Sequence, residues 1–143
     1  MDDFRTQLSA VIDEMLARGV EPVFMVVELE GMEDIKRTQG AESVEKFRAG
    51  AIGAITTAGH GCDAFSYGED RIVAVLGGFD RLRTFAMADK LRRGLPFLAQ
   101  SFDCTIQPEF EILEYDASTG VAGLIHQLVT GKQRKQDKAR EVA

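Results

Sequence analysis

Two carboxylates two residues apart, Glu28 and Glu30, close the apolar run VFMVVEL, and a second charged group follows Gly68 in the stretch SYGEDRIVAVL. If the first run is a strand that persists to Glu30, both acids share one of its faces. The second group, Glu69, Asp70 and Arg71, sits in a turn between apolar segments. That turn is a catalytic site, the remnant of one, or only the charged tip of a hairpin, since Gly, Glu and Asp all suit a tight connection.

Other chemistry-bearing residues are sparse. His60 and Cys62 form an H-x-C pair, but tetrahedral zinc needs more ligands than this chain readily supplies. Cys62 and Cys104 read as free buried thiols. His126 has no nucleophile or acid motif around it and reads as an interface or surface residue. Arg81, Arg83, Lys90, Arg92 and Arg93 form a basic cluster, most simply a solvated helix face, from which two or three members could meet a phosphate.

The 143 residues amount to one domain, and 45% hydrophobic content is enough for a globular core. A net charge of -6 excludes a general nucleic-acid binder, which needs clustered Lys and Arg. No apolar run is long enough to span a membrane, and the start MDDFRTQL lacks the order of a secretory signal, so the expected location is the cytoplasm. The segment KQRKQDKAREVA, 132–143, is a basic tail able to touch an acidic partner.

The elements that must position these residues follow from periodicity. Phe4, Leu8, Val11, Ile12 and Met15 recur at helical spacing over 1–19, giving an amphipathic first helix. It either docks on its own domain or pairs with the same helix of another subunit. VFMVVEL reads as a strand buried on both faces. GMEDIKRTQG reads as a polar connection to a helix over 41–58 carrying Val44, Phe47, Ala51 and Ile55, with Gly50 and Gly53 placed for close approach of another backbone. AFSY and IVAVL form a hairpin. A helix over 80–93, capped by Asp80 and ended by Gly94 and Pro96, points Leu82, Phe85 and Leu91 inward. FDCTIQ and EFEILEY read as strands parted at Pro108, and a last helix over 118–130 carries Val121, Leu124, Ile125 and Leu128. The expected fold is α+β, an antiparallel or mixed sheet with helices mainly on one face.

This order resembles the GGDEF domain of bacterial diguanylate cyclases, a nucleotide-cyclase, ferredoxin-like architecture, over residues 22–130. SYGEDRIVAVL is similar to that family's R-Y-G-G-D-E-F hairpin: Tyr67, Gly68 and Asp70 match, while Glu69 replaces the second glycine, Arg71 the second acid and Ile72 the phenylalanine. VVELEGMEDIKRTQG is similar to its D-x-D-x-F-K-x-x-N-D-x-x-G-H segment, with Glu28 and Glu30 at the aspartates, Met32 at the phenylalanine, Lys36 at the asparagine and Gly40 at the glycine.

The resemblance implies a site that joins two GTP molecules held in facing domains, with strand and hairpin carboxylates binding divalent metal against the triphosphate. Here it implies metal contact by Glu28, the Leu29 carbonyl and Asp70, and ligand contact by Lys36, Gly68, Glu69, Asp70 and Arg71. Arg71 removes a metal ligand and adds a positive charge. Two like charges about 4 Å apart at an effective dielectric near 20 repel by about 4 kcal/mol, or roughly three decades in affinity, a figure that falls if the side chain swings away. Glu69 brings bulk and negative charge toward a phosphate, and Lys36 cannot pair with a guanine edge as an asparagine does. The family's inhibitory R-x-x-D falls near 59–63, where only Asp63 remains. The expectation is a degenerate GGDEF-like module over 20–131 without catalytic residues. It acts through a protein partner, with a homodimer through the first helix and a bound guanine nucleotide as further options. No nucleic acid or membrane is engaged, and magnesium enters only if a residual site is occupied. The alternative is a reduced diguanylate cyclase or nucleotide-hydrolysing enzyme using Glu28, Asp70 and one metal.

Overall fold

Strand β1 (Pro22–Glu30) buries both of its faces, which is why its sequence is an unbroken apolar run rather than an alternating one. Met25, Val27 and Leu29 enter one hydrophobic cluster, Phe24 and Val26 another. Strand β3 (Arg71–Gly77) divides in the same way, Ile72, Ala74 and Leu76 against Val73 and Val75. With β2 (Asp63–Tyr67) and β4 (Gln107–Glu114) at the edges, they form a four-stranded sheet of order β2-β3-β1-β4 in which every pairing is antiparallel. The computed structural model describes residues 2–128. The basic tail 132–143 and the expected end of the last helix at Thr130 lie outside the described residues.

Three helices cover one face: α2 (Met32–Gln39), α3 (Ala41–Ala58) and α4 (Arg81–Gln100) supply Ile35, Phe47, Ile55, Leu91 and Leu95 to its cluster. The opposite face is covered by α1 (Asp2–Ala17) and by α5, residues 120–128. Phe4, Leu8, Ile12 and Met15 of α1 are buried there with Leu124, Ile125 and Leu128 of α5. The apolar stripe of α1 thus docks on its own domain.

Several local expectations change. GMEDIKRTQG is not a plain connection: it carries α2, whose Met32 and Ile35, three apart, anchor one buried turn. Gly31 makes the corner, with φ +111, and a Cβ there would stand 2.4 Å from the Thr105 carbonyl oxygen. The Asp80 cap is present, its carboxylate accepting from the Arg83 N–H at 2.7 Å. The helix it starts, however, runs through Gly94 and Pro96 to Gln100. Burial of Leu95 and Ala99 on the sheet outweighs the local propensity loss. The inward stripe of α4 is Thr84, Met87, Ala88, Leu91, Leu95 and Ala99, so Leu82 and Phe85 face outward, 79% and 53% exposed.

FDCTI, 102–106, is a turn and extended connection rather than a strand, with Asp103 at φ +53, and Gln107 opens β4. Pro108 lies inside β4, tolerated because β4 is an edge strand. Gly50 admits the Leu98 side chain, whose methyl would lie 3.1 Å from an added Cβ, whereas Gly53 faces open space among the described residues, so the nearest neighbour of Gly50 is a side chain rather than another backbone. Among the described residues no helix is long and apolar enough to cross a membrane.

Candidate functional site

The end of β1 and the β2–β3 hairpin lie side by side because β1 pairs with β3 from Pro22↔Gly77 to Glu28↔Arg71. The hairpin loop is residues 68–70, with Gly68 at φ +70, and it sets Tyr67 opposite Arg71 across the hairpin. Arg71 is therefore in register with two polar residues at once, Glu28 on one neighbour and Tyr67 on the other. All three side chains lie on the α1/α5 face, the same face as Val73 and Val26.

Arg71 is 5% exposed and Glu28 15%, and the guanidinium Nη2 lies 3.4 Å from the Glu28 carboxylate. Among the described residues the buried Arg71 Nε and Tyr67 hydroxyl have no hydrogen-bond partner. Phe4 of α1 packs on the Tyr67 ring at 5.1 Å, closing this end of the sheet. Burial pushes the Tyr67 phenol up, the adjacent Arg71 guanidinium opposes this, and the carboxylates of Glu111 and Glu28 add to the rise. At the position where the resemblance implies a second acid, the chain has a buried guanidinium held in strand register against a carboxylate.

The other expected ligand residues are also engaged with one another. Lys36 Nζ meets the Glu69 carboxylate at 2.7 Å, tying α2 to the hairpin tip. The hydrogen bond and charge of Glu69 raise the Lys36 pKa. Arg48 of α3 donates from Nη2 to the Glu69 carbonyl at 2.9 Å and also pairs with Glu45. Nothing in the sequence singled out Arg48; it adjoins the buried Phe47 and carries no motif.

Leu29 and Asp70 are brought together by backbone, the Leu29 N–H donating to the Asp70 carbonyl at 2.7 Å. A cavity of about 430 Å³ opens beside them, lined by Leu29, Glu30, Met32, Glu33, Glu69 and Asp70. Glu28 is not part of that lining, its carboxylate being paired with Arg71 instead. Among the described residues no group of three or more His, Cys, Asp and Glu side chains is arranged to hold a metal ion.

The remaining candidates are dispersed. His60 has φ +56 in the turn after α3, near Phe79, and Cys62 beside it is half-buried. Burial, with help from the Asp63 charge, pushes the Cys62 thiol up to about 11. Cys104 is likewise free and half-buried. His126 is exposed on α5. In the basic cluster Arg83 lies over the Phe79 ring at 4.5 Å and Arg92 over Phe110 at 5.3 Å, so two of its members are surface cation–π contacts.

No protein-family model and no curated protein sequence matches the chain. Solved structures do. The GGDEF domain of DgcB from Caulobacter crescentus, crystallised with c-di-GMP, superposes with a TM-score of 0.68 at 12% identity, over 94% of this chain and 83% of that one. A GGDEF domain from Pseudomonas aeruginosa gives 0.64 at 15% identity, over 94% and 89%. The active GGEEF domain of a diguanylate cyclase from Vibrio cholerae gives 0.60 at 12% identity, over 80% and 76%. At these identities the likeness is one of fold.

Proposed function

We propose that this chain, which has the fold of GGDEF domains, is a catalytically silent signalling module that works through contact with a protein partner, any guanine nucleotide being held weakly. The observation that carries this reading is the in-register ion pair of Arg71 and Glu28. Phosphoryl transfer needs metal charge beside the phosphates, and the positions that the resemblance assigns to metal ligands here hold a cation of the chain's own. With Arg71 only 5% exposed, the side chain cannot readily swing aside. A cation coordinated by Glu28 would meet that repulsion of about 4 kcal/mol with little relief.

Glu69 and Lys36 support the same reading. They pair with each other at the surface, 2.7 Å apart, with Glu69 in the lining of the cavity. The α1 stripe, buried on its own sheet, argues against a homodimer built on that helix, so association would use other surfaces.

A second reading, residual nucleotide turnover with one metal, rests on the 430 Å³ cavity and the Leu29 to Asp70 hydrogen bond beside it. Incubation with GTP and magnesium, followed by chromatography for cyclic di-GMP, GDP and pyrophosphate, separates the two. No product above buffer is expected. Product formed by the unmodified chain overturns the silent reading and favours the second.

A further inference from the structure

Among the described residues, basic charge gathers on α4, where few acids answer it. Over Arg81–Gln100 that helix holds five basic residues and one acid, net +4, in a protein of net charge -6. Elsewhere Lys36, Arg37, Lys46, Arg48 and Arg71 each meet a carboxylate, whereas on α4 only Arg92 does, with Asp89. Arg83 lies over the Phe79 ring. Arg81, Lys90 and Arg93 have neither an ion pair nor an aromatic contact among the described residues.

The same helix holds three of the four large apolar side chains that stand exposed among the described residues, Leu82 at 79%, Phe85 at 53% and Phe97 at 73%. Its inner stripe is taken up by the sheet, so these belong to a second, outward face. Leu82, Ala86, Asp89, Arg93 and Phe97 are all exposed and follow one another at steps of three or four, which aligns them along the helix axis over about 22 Å. A row of that kind is a ridge against which another helix packs. We infer that the outward face of α4 receives an α-helix of a partner protein, with an apolar stripe bordered by Asp or Glu. This rests on the protein-contact reading above and names its surface.

Charge decides among occupants. A second copy docking α4 on α4 sets +4 against +4. The chain's own segment KQRKQDKAREVA carries five basic and two acidic residues, net +3, and is repelled by the same face. An anionic lipid surface suits Arg81, Lys90 and Arg93, but Asp89 stands in the middle of the row and would be pressed against headgroups of its own sign. A partner helix meets both conditions. Its acidic border pairs with the three cations and its apolar stripe covers Leu82 and Phe97, while Asp89 keeps Arg92.

The test uses a fluorescent peptide as long as α4, 20 residues, with leucine at steps of three and four, glutamate beside it and alanine elsewhere, and a second peptide of the same composition with that stripe scrambled. Fluorescence anisotropy against the full chain is expected to show saturable binding of the striped peptide, at least about tenfold tighter than the scrambled one. Lys90→Glu and Phe97→Asp should each weaken it by about tenfold or more, while Arg18→Glu, an equal charge reversal just beyond α1 on the other side of the sheet, should not. Thermal melts confirm that each variant is folded. Absence of saturable binding overturns the proposal. Equal binding of the two peptides, or a loss with Arg18→Glu as large as with the α4 variants, overturns it in favour of diffuse charge attraction. Sedimentation with phosphatidylserine vesicles is expected to leave the chain in the supernatant; pelleting, with no preference for the striped peptide, overturns the proposal in favour of a lipid surface. GTP turnover plays no part in these readouts, so the α4 proposal and the silent-site reading fail separately.

Discussion

Replacing Arg71 by glutamate tests the central inference, because it swaps an internal cation for a second acid without moving the strand. The native pair is 5% and 15% exposed, and removing one partner of a buried pair costs about 3–5 kcal/mol. Two carboxylates set about 4 Å apart repel by up to about 4 kcal/mol at an effective dielectric near 20, which keeps the variant at the upper end of that range. At about 2–4 °C per kcal/mol for a domain near this size, Arg71→Glu in EDTA should melt roughly 10–20 °C below the parent. A divalent cation relieves that repulsion. At a magnesium concentration tenfold above its Kd the recovery is RT ln 11, about 1.4 kcal/mol, or about 3–6 °C. Differential scanning calorimetry with and without magnesium reads both numbers. Arg71→Gln should lose stability without the magnesium response, and the parent should not respond at all. The reasoning fails if the parent's melting temperature rises with magnesium as much as the variant's, since a cation site would then exist beside the guanidinium, or if Arg71→Glu melts with the parent in EDTA.

Four further outcomes follow from the same geometry. Replacing both Glu28 and Arg71 by methionine should be far less damaging than Arg71→Glu in the same calorimetric experiment, because an apolar pair leaves no unpaired charge. Gly31→Ala should lower the melting temperature more than Gly40→Ala: both positions have positive φ, but only at Gly31 does the added Cβ meet a carbonyl oxygen, at 2.4 Å. Leu8→Ala should reduce urea-unfolding stability by about 2–5 kcal/mol and leave the sedimentation mass unchanged, because Leu8 is buried against its own sheet. Stability should hold below about pH 9 and decline above it, because the folded state keeps Cys62 protonated up to about 11 and also raises Tyr67, while the unfolded chain releases those protons earlier; Cys62→Ala should flatten the decline in pH-dependent urea melts.

The legible parts of the fold were those with one dominant signal. Residues 23–27 of β1 and 72–76 of β3 are apolar throughout because helices cover both sides of the sheet, and α1 shows its stripe at regular spacing. α2 was hidden because only Met32 and Ile35 are buried in its 8 residues, too few to show a period against eight mostly polar positions. The extent of α4 was hidden because Gly94 and Pro96 give strong local stop signals that sheet packing overrides, and shortening the helix drew Leu82 and Phe85 inward in the sequence reading. At the site, Glu28, Lys36, Glu69 and Arg71 were all singled out, but as separate losses of ligand contact. Their mutual pairing depends on registry across 43 and 33 residues, which no local pattern encodes. Tyr67 was within reach: a three-residue loop 68–70 sets it opposite Arg71, so loop length alone would have identified the pair.

The pairings also bear on how such a module would behave. In a ligand-dependent site, strand exit and hairpin tip carry charges that are satisfied only when metal and phosphate arrive, and the empty state stores that imbalance. Here Arg71 answers Glu28, Lys36 answers the Glu69 carboxylate and Arg48 holds the Glu69 carbonyl, so the hairpin is fixed by three elements, β1, α2 and α3, without a ligand. A nucleotide entering the cavity would have to break contacts already made, and it could shift the structure only by its differential affinity for a rearranged hairpin. On the proposed reading the surface offered to a partner is therefore constitutive, and regulation acts on the partner or on access to the outward face of α4 rather than on this site.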